Sequence, residues 1–278
     1  MLAVAYFYLS KKANQKYETD SHSLTVIIPF RNEASRIKPL IESINKQQHL
    51  SPEIQFIFCN DHSTDNAVEI IQQTAKFPFQ ISELNGVSGK KAAIHQGVQT
   101  AGTDYILTLD ADVILPEKYF ETLVQHLSGD LIVLPVRLAA ENIIQKLSSI
   151  EFEWLQKLTF GTKKPVLSNG ANLVFKKSAY LEVYGMRSDL DIASGDDVFL
   201  LQHMLNQNKH VYRQNLSLLE ITTPAPDSTS ALLSQRKRWI GKLQQMKTNS
   251  FLLPGAFLIL IQLSFFTCMI SGFFQPIF

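Results

Sequence analysis

DYILTLDADVILP, residues Asp104 to Pro116, is the stretch on which the fold turns. It opens as an apolar, β-rich run, expected to be a strand over Asp104–Asp110. The run stops at two carboxylates, Asp110 and Asp112, held apart by Ala111. Pro116 then suits the first turn of a helix running to about Leu127. Before it the same alternation repeats. Strands are expected over Leu24–Phe30 (LTVIIPF), Glu53–Cys59 (EIQFIFC) and Phe77–Leu84 (FPFQISEL). Between them the apolar spacing predicts helices over Asn32–Gln48, Thr64–Lys76 and Ser88–Thr100. Asp130–Leu138 (DLIVLPVRL) reads as one further strand. Regular alternation of this kind predicts an α/β fold, a Rossmann-like, mostly parallel sheet with helices on both faces.

Composition narrows the function classes. The 278 residues carry 26 basic and 25 acidic side chains, a net charge of +1, which gives no polycation suited to nucleic acid. Only Cys59 and Cys268 occur, too few for a disulfide scaffold or a zinc ribbon, and both are expected as buried free thiols. The ends are different. Ser250 to Phe278 holds no charge, and Phe251 to Phe274 is long enough to cross a bilayer as a helix. Met1 to Leu9 is apolar but too short to span, and Lys11 and Lys12 follow it rather than precede it. The expected organisation is a short apolar anchor or partial membrane helix (1–20), a catalytic domain (21–225), an amphipathic interfacial helix (226–250) and a C-terminal transmembrane helix (251–278).

In open α/β sheets ligands sit beyond the carboxyl ends of the strands, so the polar residues there are the candidates. They are Arg31, Asn32 and Glu33 after the first strand, Asn60 to Asp65 after the second, and Asp110 and Asp112 after the fourth. Neither GxGxxG nor GxxxxGK[ST] is present, which weakens dinucleotide-oxidoreductase and P-loop readings. Asp110 and Asp112, two apart in extended chain, can grip a hard cation such as Mg²⁺ or Mn²⁺. Asp61 could accept hydrogen bonds from a base or ribose, while Ser63 or Thr64 could cap the next helix. Lys90 and Lys91 open a helix, where solvated lysines are the plain alternative. Asp196 and Asp197 suit a first helical turn, and paired carboxylates can also make one a general base. Gln235, Arg238 and Trp239 form a QxxRW pattern that can share one helical face. Arginine's fork suits a diphosphate and tryptophan can stack on a sugar. Their segment is equally suited to a membrane surface, since no acid follows Asp227.

The ordered set TVIIPFRNE, NDHSTD, GKKAAI, DAD, SNGAN, GDD and QRKRW resembles family 2 glycosyltransferases, and more narrowly their membrane-associated branch, which includes processive polysaccharide synthases. The resemblance runs from about Leu24 to Trp239. It implies a GT-A fold, a nucleotide-diphosphosugar donor (a UDP-sugar first), a carbohydrate or lipid acceptor and Mg²⁺ or Mn²⁺ as cofactor. It places Glu33, Asp61, Lys90, Asp110, Gln235, Arg238 and Trp239 around the donor, with Asp112, supported by Asp110, on the metal. It makes Asp197 the base beside Asp196, and puts Gly170, Ala171, Asn172 and Trp239 near the acceptor. Two positions depart from the family pattern: Asn60 stands where an acid is common, and Asp196-Asp197 replaces Glu-Asp. The implied activity is inverting sugar transfer in cell-surface polysaccharide or glycolipid synthesis. The basic run Arg236 to Lys247 before Phe251 puts the catalytic domain on the cytoplasmic side of the inner membrane. The alternatives are a catalytically idle membrane scaffold and a sugar-nucleotide nucleotidyltransferase; the second would usually carry a glycine-rich phosphate loop that PFRNEA lacks.

Overall fold

The computed structural model describes residues 23–48, 50–51, 53–161, 165–190, 192 and 195–245. The expected N-terminal anchor and the expected spanning segment lie outside these residues. Among the described residues no helix is long and apolar enough to cross a membrane.

A seven-stranded sheet forms the centre. Its strands are β1 (Leu24–Phe30), β2 (Ile54–Asn60), β3 (Gln80–Glu83), β4 (Tyr105–Leu109), β5 (Leu131–Val133), β7 (Asn172–Lys176) and β8 (Val211–Arg213), in the order β3-β2-β1-β4-β7-β5-β8. The first four pair in parallel, with Leu24 opposite Ile54 and Tyr105, and β7 runs antiparallel between β4 and β5. β6 (Val136–Ala139) and β9 (Ile221–Pro224) make a separate parallel pair.

Strand alternation divides the apolar residues between two layers. Val26, Ile28, Phe56, Phe58, Leu107 and Leu109 belong to one core, with α1 (Ile37–Asn45), α2 (Ala67–Thr74) and α4 (Tyr119–Val124). Ile27, Ile57, Cys59 and Ile106 belong to the other, with α3 (Lys90–Thr100), α6 (Lys177–Tyr184) and α7 (Asp196–Asn206). Adjacent strand residues point to opposite sides, so a sheet covered by helices on both faces must read as a continuous apolar run. Two longer helices, α5 (Ile143–Gly161) and α8 (Thr229–Gln245), follow β6 and β9 respectively. Cys59 is buried and free, and burial pushes its thiol up to about 12.

Three expected elements change. Asp130–Leu138 is two strands in two sheets, because Pro135 lacks the N–H that a central strand needs. The helix expected from Pro116 begins only at Tyr119, after Lys118 turns left-handed at φ 62°. The helix expected from Asn32 begins at Ile37, because residues 32 to 34 are spent on the neighbouring loop. Asn32, at φ 55°, donates its N–H to Ser63 Oγ and accepts from the Thr64 N–H, and Ala34 N–H donates to Asp65 Oδ2. Ser63 and Thr64 therefore brace the two loops, and the N-cap of α2 is Asn66, whose side chain makes no capping bond.

Gly97 fixes how closely α3 approaches the sheet. A Cβ there would lie 2.8 Å from Ile27 Cγ2 and 3.0 Å from Cys59 Sγ. Gly97→Val is expected to cost about 1–3 kcal/mol through overpacking, read as a lower midpoint in chemical unfolding with an unchanged m-value.

Candidate active site

The carboxyl ends of β1, β2 and β4 open on a cleft of about 330 Å³, lined by Arg31, Glu33, Asp61, Lys90, Asp110 and Asp112 among others. Its size is in the usual range for small-ligand sites. The three strand-end clusters therefore converge as the topology requires.

Lys90 is the centre of the polar arrangement. Gly89, at φ 119°, ends the preceding loop and starts α3, so Lys90 enters the cleft from the first helical turn. Its Nζ lies 2.6 Å from Asp110 Oδ1 and 3.3 Å from Asp196 Oδ2. Burial works against its charge, but Asp110 and Asp196, with Asp197 beyond, outweigh burial and raise its pKa above the ordinary lysine value. It is not a solvated surface lysine. Neither is Lys91, one residue on. Its Nζ donates to Asp189 Oδ2 at 2.7 Å, and Asp189 also receives a two-pronged bond from Arg187. Burial opposes the Asp189 charge, but Arg187 and Lys91 hold its carboxyl below the usual range. This buried cluster fastens the loop before α7 to α3, and nothing in the local sequence pattern announces it. A charge pair 98 residues apart leaves no periodic trace.

Asp61 is buried and accepts the Gly89 N–H at 2.9 Å, with its other oxygen 3.0 Å from His62 Nδ1 and Arg31 nearby at 3.7 Å. It ties the β2 end to the start of α3. Asn60 donates to Glu83 and accepts the Ser63 N–H, so the neutral residue at the expected acidic position is a loop brace. Glu33 pairs with Arg36 at 2.8 Å. Burial raises the Glu33 carboxyl; Arg36 opposes this, and Asp112 and Asp110 add to it. Asp112 is raised by burial and then by Asp110, against Arg36 and Lys90. The chain beyond it is held by β9, since Ile114 exchanges two backbone hydrogen bonds with Thr222.

Among the described residues no three metal-ligating side chains form a ready cluster. What exists is an open, oxygen-only set, Asp110 and Asp112 with Glu33 near, in which burial first and the neighbouring carboxylates second raise Glu33 and Asp112. A divalent cation would relieve that repulsion, and Mg²⁺ or Mn²⁺ commonly takes its remaining oxygens from phosphates and water. The donor set fits such an ion.

Asp196 and Asp197 open α7 and diverge. Asp196 turns to Lys90, while Asp197 is buried and accepts the Gly170 N–H at 3.2 Å. At Gly170 a Cβ would stand 2.5 Å from Asp196 Oδ2 and 3.2 Å from Lys90 Nζ, so any side chain there would displace the Asp196 carboxylate. Ala171 and Asn172, expected on the acceptor side, are in the interior. Asn172 has no exposed surface; its amide donates to Pro135 O and Leu219 O, and its carbonyl accepts from the Tyr119 hydroxyl. The acceptor role expected of Asn172 has no free atom to carry it: the side chain braces β7 to the Pro135 break. Gln235, Arg238 and Trp239 are not among the cleft-lining residues. Their helix α8 is fastened to α5 instead, by the Arg236–Glu151 ion pair and by Trp239, which lies 6.2 Å from the Phe152 ring and under the Arg236 guanidinium.

Comparison with known proteins agrees with this geometry. The profile of Glycosyl transferase family 2 matches residues 25–180, and that of Glycosyl transferase family group 2 matches residues 105–277. The succinoglycan biosynthesis protein ExoA of Rhizobium meliloti (strain 1021) is 28% identical over 159 residues, 56% of this chain and 45% of that protein. The poly-beta-1,6-N-acetyl-D-glucosamine synthase of Staphylococcus epidermidis is 25% identical over 247 residues, 83% of this chain and 56% of that protein. The chain thus spans about half the length of these curated relatives. Among solved structures, the mannosyltransferase PcManGT of Pyrobaculum calidifontis, in complex with GDP-Man and Mn²⁺, superposes with a TM-score of 0.62 at 16% identity, covering 90% of this chain and 75% of that one. S. aureus TarS 1-349 in complex with UDP-GlcNAc gives 0.51 at 15% identity, covering 76% and 60%. These two likenesses establish the shared fold.

If Asn172 is a brace, Asn172→Ala orphans a buried hydroxyl and two carbonyls. Each such loss costs about 1–3 kcal/mol, so thermal unfolding should shift down by several degrees in the absence of any ligand. An unchanged midpoint would return Asn172 to the acceptor side.

Proposed function

Because this chain belongs to glycosyl transferase family 2, we propose that it moves a sugar from a nucleotide-diphosphosugar to an acceptor hydroxyl, with inversion at the anomeric carbon, in the synthesis of a polysaccharide or glycolipid. The observation that carries this reading is Lys90, held between Asp110 of the β4 end and Asp196 of α7. One cation joins the side of the cleft suited to a nucleotide diphosphate to the acidic pair suited to deprotonating an acceptor.

Each residue has a task in this reaction. Asp61 and Arg31, at the β2 and β1 ends, border the place for the nucleoside. Asp112 and Asp110, with Glu33 behind them, would hold a divalent cation. When bound, that ion offsets charge on the diphosphate. The Mn²⁺ present in the PcManGT complex supports the choice of Mg²⁺ or Mn²⁺. Lys90 stays protonated and faces the same negative charge, a preorganised electrostatic contribution. The Asp197 carboxylate takes the proton of the acceptor hydroxyl, and the hydroxyl oxygen forms the new bond to the anomeric carbon. The bond to the diphosphate oxygen breaks, and that oxygen keeps the electron pair. Asp196, paired with Lys90, supports Asp197. The donors of the compared complexes, UDP-GlcNAc and GDP-Man, define the panel to try first, with UDP-sugars preferred. Gln235, Arg238 and Trp239 reach the diphosphate or acceptor end only if α8 and its neighbours close over the cleft on substrate. The membrane reading of the C-terminal run places this chemistry at the cytoplasmic face of the inner membrane.

Asp112→Asn should abolish Mn²⁺- or Mg²⁺-dependent binding of UDP or GDP while leaving thermal unfolding of the apoprotein in place, measured by titration calorimetry. Metal-dependent affinity equal to the parent's would remove Asp112 from the site. Asp197→Asn should lower turnover by about 10²–10⁴-fold with donor affinity nearly unchanged, the range for a positioned general base. A larger loss in Asp196→Asn would exchange the two roles.

A further inference from the structure

Thr108 interrupts the otherwise aliphatic and aromatic run of β4 (YILTL), and only 2% of its surface is exposed. Valine has nearly the same shape and would be simpler to bury there, since a buried hydroxyl needs a partner. The Thr108 hydroxyl has two acceptors for its one proton, Gly170 O at 3.1 Å and Leu173 O at 3.3 Å. Leu173 stands opposite Thr108 in the antiparallel β4–β7 pair, so that bond stays within the sheet. The bond to Gly170 reaches out of it, into the turn that precedes β7.

That turn is closely held. Asn169 Oδ1 accepts the Ala171 N–H at 3.0 Å, Asn169 O accepts the Asn172 N–H at 3.0 Å, and Asn172 is itself fixed in the core. Toward α7 the turn presents the Gly170 N–H, which donates to Asp197 Oδ2 at 3.2 Å. The other side of this contact is fixed separately, because Lys91 binds Asp189 and so holds the loop before α7 to α3. The Asp197 carboxylate is thus approached from two anchored elements. One of them traces back to β4, the strand that delivers Asp110 to the cleft two residues after Thr108.

We infer that Thr108 is a positioning residue for the sugar transfer: its hydroxyl fixes the Gly170 turn, and the N–H of that turn aims the Asp197 carboxylate. The inference rests on Asp197 as the base, the reading proposed above. Thr108 is buried beneath the site and acts only through Gly170. Its leverage comes from geometry. Displacing a reacting group by about 1 Å can cost about 10²-fold in rate, even when the change is made away from the chemistry.

The test compares two variants of the full chain. Thr108→Val keeps the shape of the side chain and removes the hydroxyl; Thr108→Ser keeps the hydroxyl and removes a methyl group. Turnover is read as release of UDP or GDP from UDP-GlcNAc or GDP-Man. Thr108→Val should lower it by about 10- to 100-fold, with calorimetric affinity for UDP or GDP in the presence of Mn²⁺ unchanged. Thr108→Ser should recover most of the turnover although it is the less well packed of the two. In an Asp197→Asn background Thr108→Val should add no further loss, because it acts through that carboxylate. Hydrogen–deuterium exchange over the peptide containing Gly170 should be faster in Thr108→Val than in the parent or Thr108→Ser, a readout that needs no substrate. Unchanged exchange there overturns the inference whatever the donor. So does an equal loss of turnover in the Val and Ser variants, which would make packing the cause, and so does a full further loss in the Asp197→Asn background. Parental turnover in Thr108→Val beside a crippled Asp197→Asn overturns this inference and leaves the base in place. Parental turnover in Asp197→Asn removes the base, and the role of Thr108 falls with it.

Discussion

An ammonium group between two carboxylates holds this site together. Lys90 meets Asp110 from the end of a central parallel strand and Asp196 from a helix that begins more than a hundred residues later. The two acids come from segments far apart in the chain, and the shared ammonium group is what joins them. Several other features exist to make this contact possible. Gly89 allows the abrupt helix start, Asp61 fixes the Gly89 N–H, and Gly170 leaves room where any Cβ would push Asp196 aside. Gly97 lets α3 lie close enough to the sheet for its first residue to reach the strand ends.

The parallel half of the sheet was legible in the residues because its strands are buried on both faces and bounded by polar ends. β1 occupies the expected span, and β2 and β4 differ from theirs by about one residue at either end. Legibility falls where tertiary contacts override local pattern. Pro135 divides what reads as one strand, and Lys118 delays a helix that proline seemed to open. β7 was missed as a strand because its first residue, Asn172, reads as a polar site residue, whereas its polarity is consumed inside the core. The acids and Lys90 were found because strand ends and a recognisable ordered set marked them. Lys91, Arg187 and Asp189 were not, because a buried ion cluster is defined by who meets whom, and the meeting is between distant segments.

The electrostatics of the cleft also constrain its ligands. Glu33, Asp61, Asp110, Asp112, Asp196 and Asp197 face fewer cations, chiefly Arg31, Arg36 and Lys90. A bare diphosphate would meet an excess of its own sign. A diphosphate accompanied by a divalent cation would not.

The Lys91–Asp189 contact has a consequence for the order in which the protein is made. Chains emerge amino end first and fold largely in units as they appear. The β1-to-β4 segment, with Glu33, Asp61, Lys90, Asp110 and Asp112, has been made before α5 is added. At that stage Lys90 has Asp110 but not Asp196, and Lys91 has no Asp189 at all, since that partner lies 98 residues downstream. A nascent chain would thus carry the strand-end carboxylates and Lys90 before it carried Asp196 and Asp197, and the buried Lys91–Asp189 contact could form only after both segments had been made.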